Sequence, residues 1–195
     1  MRIRMLAAGF SLFSGLSAAS AQTTSRPAFS FGVLAGGSIP VGFTGQAYNG
    51  GFQFGGVAQA STPVEWLDVS LDAGYQHLGA SSVVLPNPGG PTFGTVRPNL
   101  QVYSGVANLV IRLPGFQSAI QAYAIAGAGE FRVPTGFLTG LGQPNENAET
   151  RFGTDAGLGV EAPIGRSTVF AEARYERIGA DGMRLVPVSL GIRFR

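Results

Sequence analysis

The residues with the most chemical potential in this chain recur at every second position. Asp68 and Asp72, Asp155 and Glu161, Glu172, Arg174 and Glu176, and Arg193 and Arg195 each keep one parity, with small or apolar residues between. On a β-strand, positions two apart share a face, so each set lines one side of its strand. Arg112, Glu130 and Arg132 are read onto the same shared side. Seven carboxylates and five guanidiniums facing one another in a confined space form buried ion pairs, or else provide a path for protons or ions.

Catalytic chemistry has less to stand on. His77 is the only histidine and there is no cysteine, so imidazole has one setting, "YQHLGASS", and thiolate has none. Ser81 and Ser82 follow, but nucleophilic catalysis requires a base held against the hydroxyl, and His77 is read as an interfacial or loop residue. No cluster has metal-ligand spacing, and "GAGE" at 127–130 is strand glycine rather than a nucleotide fingerprint. The expectation is no enzyme, no cofactor and no metal.

The elements that must position these charges are strands. Residues 28–39, 51–62, 66–78, 99–112, 118–132, 151–162, 167–178 and 184–195 alternate, with breakers between them. The last is the cleanest: Val186, Val188, Leu190, Ile192 and Phe194 oppose Pro187, Ser189, Gly191, Arg193 and Arg195. Leu67, Val69, Leu71, Ala73 and Tyr75 likewise oppose Asp68, Ser70, Asp72 and Gln76. In the fifth strand Tyr123, Ile125 and Phe131 are set against Glu130 and Arg132. In the fourth, Gln101 falls on the apolar parity, which predicts a bulge or a misplaced strand start.

One face of every strand is therefore in oil, and composition says which oil. Met1 to Ala21 reads as a secretory signal peptide, with Arg2 and Arg4 ahead of an apolar stretch and Ala19-Ser20-Ala21 at its end. The expected mature domain is 22–195. Its loss removes two of the 13 arginines and none of the 11 acids, leaving a balanced chain with no pull toward nucleic acid. Only 12% of the chain is charged and no residue is lysine, too little to cover a water-facing exterior. Mean hydropathy is only +0.21, and no apolar run after the leader reaches the length of a membrane helix. A membrane protein without membrane helices must be a closed barrel.

Loop lengths orient it. Segments 62–65, 113–117 and 163–167 are short turns, whereas 40–50, 79–98 and 133–150 are long and rich in Gly, Pro and Asn. Short turns at one end and long loops at the other match an outer-membrane barrel with both termini in the periplasm. Phe54, Tyr75, Tyr103, Phe131, Phe152 and Tyr175 then form an outward aromatic girdle at the loop end, one per strand from the second to the seventh, and Phe29 and Phe194 mark the opposite interface.

"GLGVEAPIGRSTVFAEARYERIG" followed by "VPVSLGIRF" resembles the last three strands of small outer-membrane barrels of the OmpA transmembrane-domain and opacity-protein type. The resemblance implies an all-β, eight-stranded antiparallel up-and-down barrel, inserted into the bacterial outer membrane by the assembly machinery. That family usually ends on an aromatic residue, and here Arg195 follows Phe194. Outer-membrane lipid A deacylases are similar in architecture, but their His-x-Ser-Asn run is absent, since Gly79 and Ala80 follow His77 and Leu78.

An eight-stranded barrel is just wide enough for side chains to fill. Asp68, Asp72, Arg112, Glu130, Arg132, Asp155, Glu161, Glu172, Arg174, Glu176 and Arg193 are thus expected to plug the lumen as a polar network, with Gly157, Gly159 and Gly191 leaving room for long side chains. The expected role is in envelope integrity or in contact with a host or other surface through the outer loops, among outer-membrane lipids and lipopolysaccharide. A narrow porin-like channel and a lipid-modifying enzyme are the alternatives.

Overall fold

A computed structural model describes residues 28–80, 83–85, 94–96, 99–114, 119–134, 148–180 and 182–195. The leader expected at 1–21 and the loop segments 86–91 and 139–147 lie outside the described residues.

Eight antiparallel strands close into one barrel. They are β1 (Phe29–Pro40), β2 (Tyr48–Ser61), β3 (Leu67–Ala80), β6 (Leu100–Arg112), β7 (Gln121–Pro134), β8 (Ala148–Ile164), β9 (Ser167–Ile178) and β10 (Met183–Phe194). Each pairs with its sequence neighbours in the barrel, and β10 closes on β1 from Phe31↔Phe194 to Pro40↔Leu185. Two short strands, β4 (Val83–Leu85) and β5 (Gly94–Val96), pair as a separate hairpin in the loop between β3 and β6, and a five-residue helix, α1 (Phe43–Ala47), sits between β1 and β2. No described helix is long and apolar enough to cross a membrane.

The barrel is apolar outside and polar inside, the reverse of a soluble domain. Leu71, Leu158 and Leu190 point outward and are 61%, 63% and 71% exposed, while Asp68, Asp72, Asp155, Glu161, Glu172 and Glu176 are buried. Strand alternation performs this sorting. It is stable only where the outer face meets lipid, because closure satisfies every ladder hydrogen bond without water. The turn Gly165-Arg166 between β8 and β9 needs just two residues, and Gly165 supplies the positive φ of 60° that such a reversal asks for.

Two expectations fail against this frame. The strand carrying Gln101 is regular: β3 and β6 pair without interruption from Leu67↔Ile111 to Leu78↔Leu100. Gln101 stays on the outward face opposite His77, near the outer end of the strand, where headgroup water tolerates a polar side chain. The register shift lies instead between Tyr48 and Gly51 on β2.

The second failure is the phase of β7. Tyr123, Ile125 and Phe131 face the lumen, and Glu130 and Arg132 face outward. Both parities of this strand are apolar, because its other face is Ala122, Ala124, Ala126 and Ala128. Interior volume decides which goes in. A Cβ on Gly159 would stand 2.3 Å from Tyr123 Cζ, and one on Gly153 would stand 2.6 Å from Phe131 Cε2, so β8 supplies the glycines that admit these rings. Small residues such as Ala126, which is exposed, face lipid at no steric cost, and the two charges reach headgroup height at the outer end of the strand.

Candidate functional site

Inside the barrel the polar residues gather at three heights. Nearest the short turns, the Arg112 guanidinium reaches Asp68 Oδ2 at 2.7 Å and also bonds Glu161. Arg193 bonds the other oxygen of Glu161, and its guanidinium carbon lies 5.0 Å from the centroid of the Phe170 ring. Gln59 donates to Asp68 Oδ2 at 2.8 Å. Two guanidiniums thus share one carboxylate, and an aromatic face covers the second cation.

The middle layer is built on Arg174. Its Nη1 lies 2.7 Å from Asp72 and 3.1 Å from Asp155, and its Nη2 lies 2.5 Å from Glu172. Asn108 donates to Asp72 Oδ2 at 3.0 Å, and the Tyr123 hydroxyl donates to Glu172 Oε1 at 2.6 Å. A planar, multidentate cation suits this place, since its two terminal nitrogens divide three carboxylates from β3, β8 and β9 between them. Gly157 makes the room: a Cβ there would stand 2.8 Å from Arg174 Cα. Beside this hub lies a cavity of about 40 Å³, lined in part by Gln53, Asp72, Gln76 and Ser189. That is the scale of one or a few waters.

Above the hub, Gln76 donates to Glu176 Oε2 at 2.7 Å and accepts from the Ser38 hydroxyl at 2.7 Å. The polar layers end there. Toward the outer loops Leu78, Leu100, Val102, Val106, Phe131, Val133, Ile178 and Leu185 pack into one buried cluster, with Tyr48 and Met183 against it. Five of them, Leu78, Val102, Phe131, Ile178 and Leu185, are 0% exposed.

Of the charges read as inward, nine line the lumen: Asp68, Asp72, Arg112, Asp155, Glu161, Glu172, Arg174, Glu176 and Arg193. Glu130 and Arg132 do not, following the reversed phase of β7, and Arg195 is exposed at the short-turn mouth beside Arg112 and Arg193. Six acids therefore meet three arginines in these layers, where seven against five were expected. The uncharged partners were missed, and so was the apolar cluster. Its signal is legible in Leu78, Ile178 and Leu185, apolar residues on largely polar or small-residue parities at the outer ends of their strands.

The outward aromatics also form a contact chain. Phe54 and Tyr75 lie 5.1 Å apart between centroids, and Tyr75 and Tyr103 lie 5.0 Å apart. Phe152 and Tyr175 are exposed on the same side of the sheet, and at the other interface Phe194 lies 6.2 Å from Phe31. Phe131 leaves the girdle for the lumen. His77 is outward too, its ring 5.3 Å from that of Phe52, in the same aromatic surface. No group of three or more metal-ligating side chains occurs among the described residues.

The barrel fold recurs in solved structures. Neisserial surface protein A superposes with a TM-score of 0.58 at 17% identity, over 86% of this chain and 97% of that one. The chain is an eight-stranded barrel of the outer-membrane type. A major outer membrane protein from Thermus thermophilus shares the barrel at a TM-score of 0.51 and 14% identity, over 87% of this chain and all of that one. No protein-family model and no curated protein matches the sequence. Alternation is what such barrels hold in common, and many different sequences satisfy it.

Proposed function

We propose that this protein is a resident barrel of the bacterial outer membrane with a plugged lumen, acting in envelope integrity or surface contact through its long outer loops. The observation that carries this reading is the stacking of two unlike seals along one axis. A guanidinium-carboxylate hub fills the middle, and an apolar cluster with five fully buried members lies above it. Ions crossing the first would have to part charges that are paired in a confined interior, and those crossing the second would have to shed water in an apolar constriction. The interior supports a structural role for its charges.

Nothing in the described residues gathers a nucleophile, a base and an orienting carboxylate. The stacking of His77 on Phe52 supports the nonenzymatic reading, in which that histidine belongs to the headgroup interface. The partners that follow are the surrounding lipids and lipopolysaccharide, the assembly machinery that inserts the barrel, and a host or surface ligand at the loops.

Planar-bilayer recording tests the plug. Purified, folded protein is expected to give no steady conductance. A stable and reproducible channel would move the narrow-pore reading ahead of this one.

A further inference from the structure

Arg177 on β9 and Arg184 on β10 are direct cross-strand partners. Both are exposed and both lie on the outward parity of their strands. Directly opposed residues in an antiparallel pair hold their Cβ atoms about 4.5–5.5 Å apart, and like charges there destabilise the pair. Inside the lumen this barrel pairs its arginines with carboxylates, as at Arg112, Arg174 and Arg193. Among the described residues neither Arg177 nor Arg184 has a carboxylate partner.

Their height says what surrounds them. Arg177 follows Tyr175 by two residues on the same face, which places it about 7 Å beyond an interfacial ring at the usual strand rise. That is headgroup level, above the outward leucines. Arg184 is also held in place by the first outer loop: its N–H donates to Thr44 Oγ1 at 3.0 Å and its carbonyl accepts from Val41 N–H at 3.0 Å. Its side chain lies along Gly42, where a Cβ would stand 3.8 Å from both Cδ and Nη1. Thr154, the partner of Arg177 on β8, is exposed on the same outward face and adds a hydroxyl.

We infer that Arg177 and Arg184 form a clamp for the phosphomonoester, rather than the phosphodiester, of a phosphorylated lipid headgroup in the surrounding outer leaflet. Two guanidinium forks offer the paired donors that phosphate oxygens take, and the anion removes the repulsion the fold leaves between them. The clamp rests on the membrane orientation proposed above, which makes a lipid phosphate the anion always at hand.

The test is lipid retention on the full, folded barrel, read by native mass spectrometry after exchange from phosphatidylcholine vesicles. The vesicles are doped with an acylated glucosamine disaccharide carrying phosphomonoesters, or with the same lipid after removal of its phosphates. The wild type is expected to retain the phosphorylated lipid selectively, and Arg177→Gln with Arg184→Gln to retain about tenfold less. Arg166→Gln, at the short-turn end, is expected to behave as wild type. Equal retention of both lipids by an inserted wild-type barrel would overturn the clamp alone, without relying on any variant. So would unchanged retention by the double variant, or ready displacement of the lipid by inorganic phosphate. Failure of the wild type to insert would overturn the orientation, and the clamp with it.

Discussion

Gly159 faces Tyr123 across the β7–β8 ladder, and a single methyl on the glycine would stand 2.3 Å from the ring. The ring occupies the space a side chain at 159 would need, and its hydroxyl reaches Glu172 at 2.6 Å. Gly159→Ala is therefore expected to destabilise the barrel by about 1–3 kcal/mol through overpacking. Urea titration of heat-modifiable mobility in vesicles measures it. Tyr123→Leu should recover part of the loss in the double variant, and strictly additive losses would mean the two sites do not share space.

The reversed phase of β7 is checked from the lipid side. In a Trp66→Phe background, a single tryptophan at Ala126 should be quenched by brominated acyl chains, and one at Ile125 should not, since Ala126 is exposed outward and Ile125 is buried. The opposite pattern would restore Tyr123, Ile125 and Phe131 to the lipid face.

Leu71, Leu158 and Leu190 lie outward on the middle stretches of their strands. Arginine at any of them is expected to cost about 2–4 kcal/mol, the range for a cation at the bilayer midplane of a barrel. Reversible unfolding from vesicles measures it. A cost near zero at all three would place these leucines outside the hydrocarbon.

Arg174 holds Asp72, Asp155 and Glu172 together. Replacing it with methionine strands three carboxylates in a confined interior, and a loss of about 3–5 kcal/mol is expected. Arg174→Lys should fall between, since it keeps the charge but loses the fork that serves the acids through two separate nitrogens. Equal stability of the methionine variant and the wild type would show that these acids are not held by the hub.

Loop replacement separates scaffold from surface. Exchanging residues 86–91 or 139–147, rich in Gly, Pro and Asn, for a short turn should leave insertion and heat-modifiable mobility intact while removing any binding to surfaces or matrix components. Loss of folding with either exchange would assign those loops to the scaffold.

What the sequence determined by itself was the number of strands, their order and the membrane. Period-2 patterning is a property of each strand alone, so Leu67 to Gln76 and Val186 to Arg193 declare their faces without reference to any neighbour. Scarce charge and the lack of a membrane helix turned the apolar face toward lipid. Tertiary structure decided β7. With alanine on one parity and Tyr123, Ile125 and Phe131 on the other, both faces are apolar, and only the space opened by Gly153 and Gly159 on the adjacent strand selects the lumen for the rings. The apolar cluster at the outer end was settled in the same way: Leu78 and Ile178 break the polar parity of their own strands, and they are stable inside because Phe131 and Leu185 meet them there. Such a fit belongs to several strands at once, and no single strand encodes it.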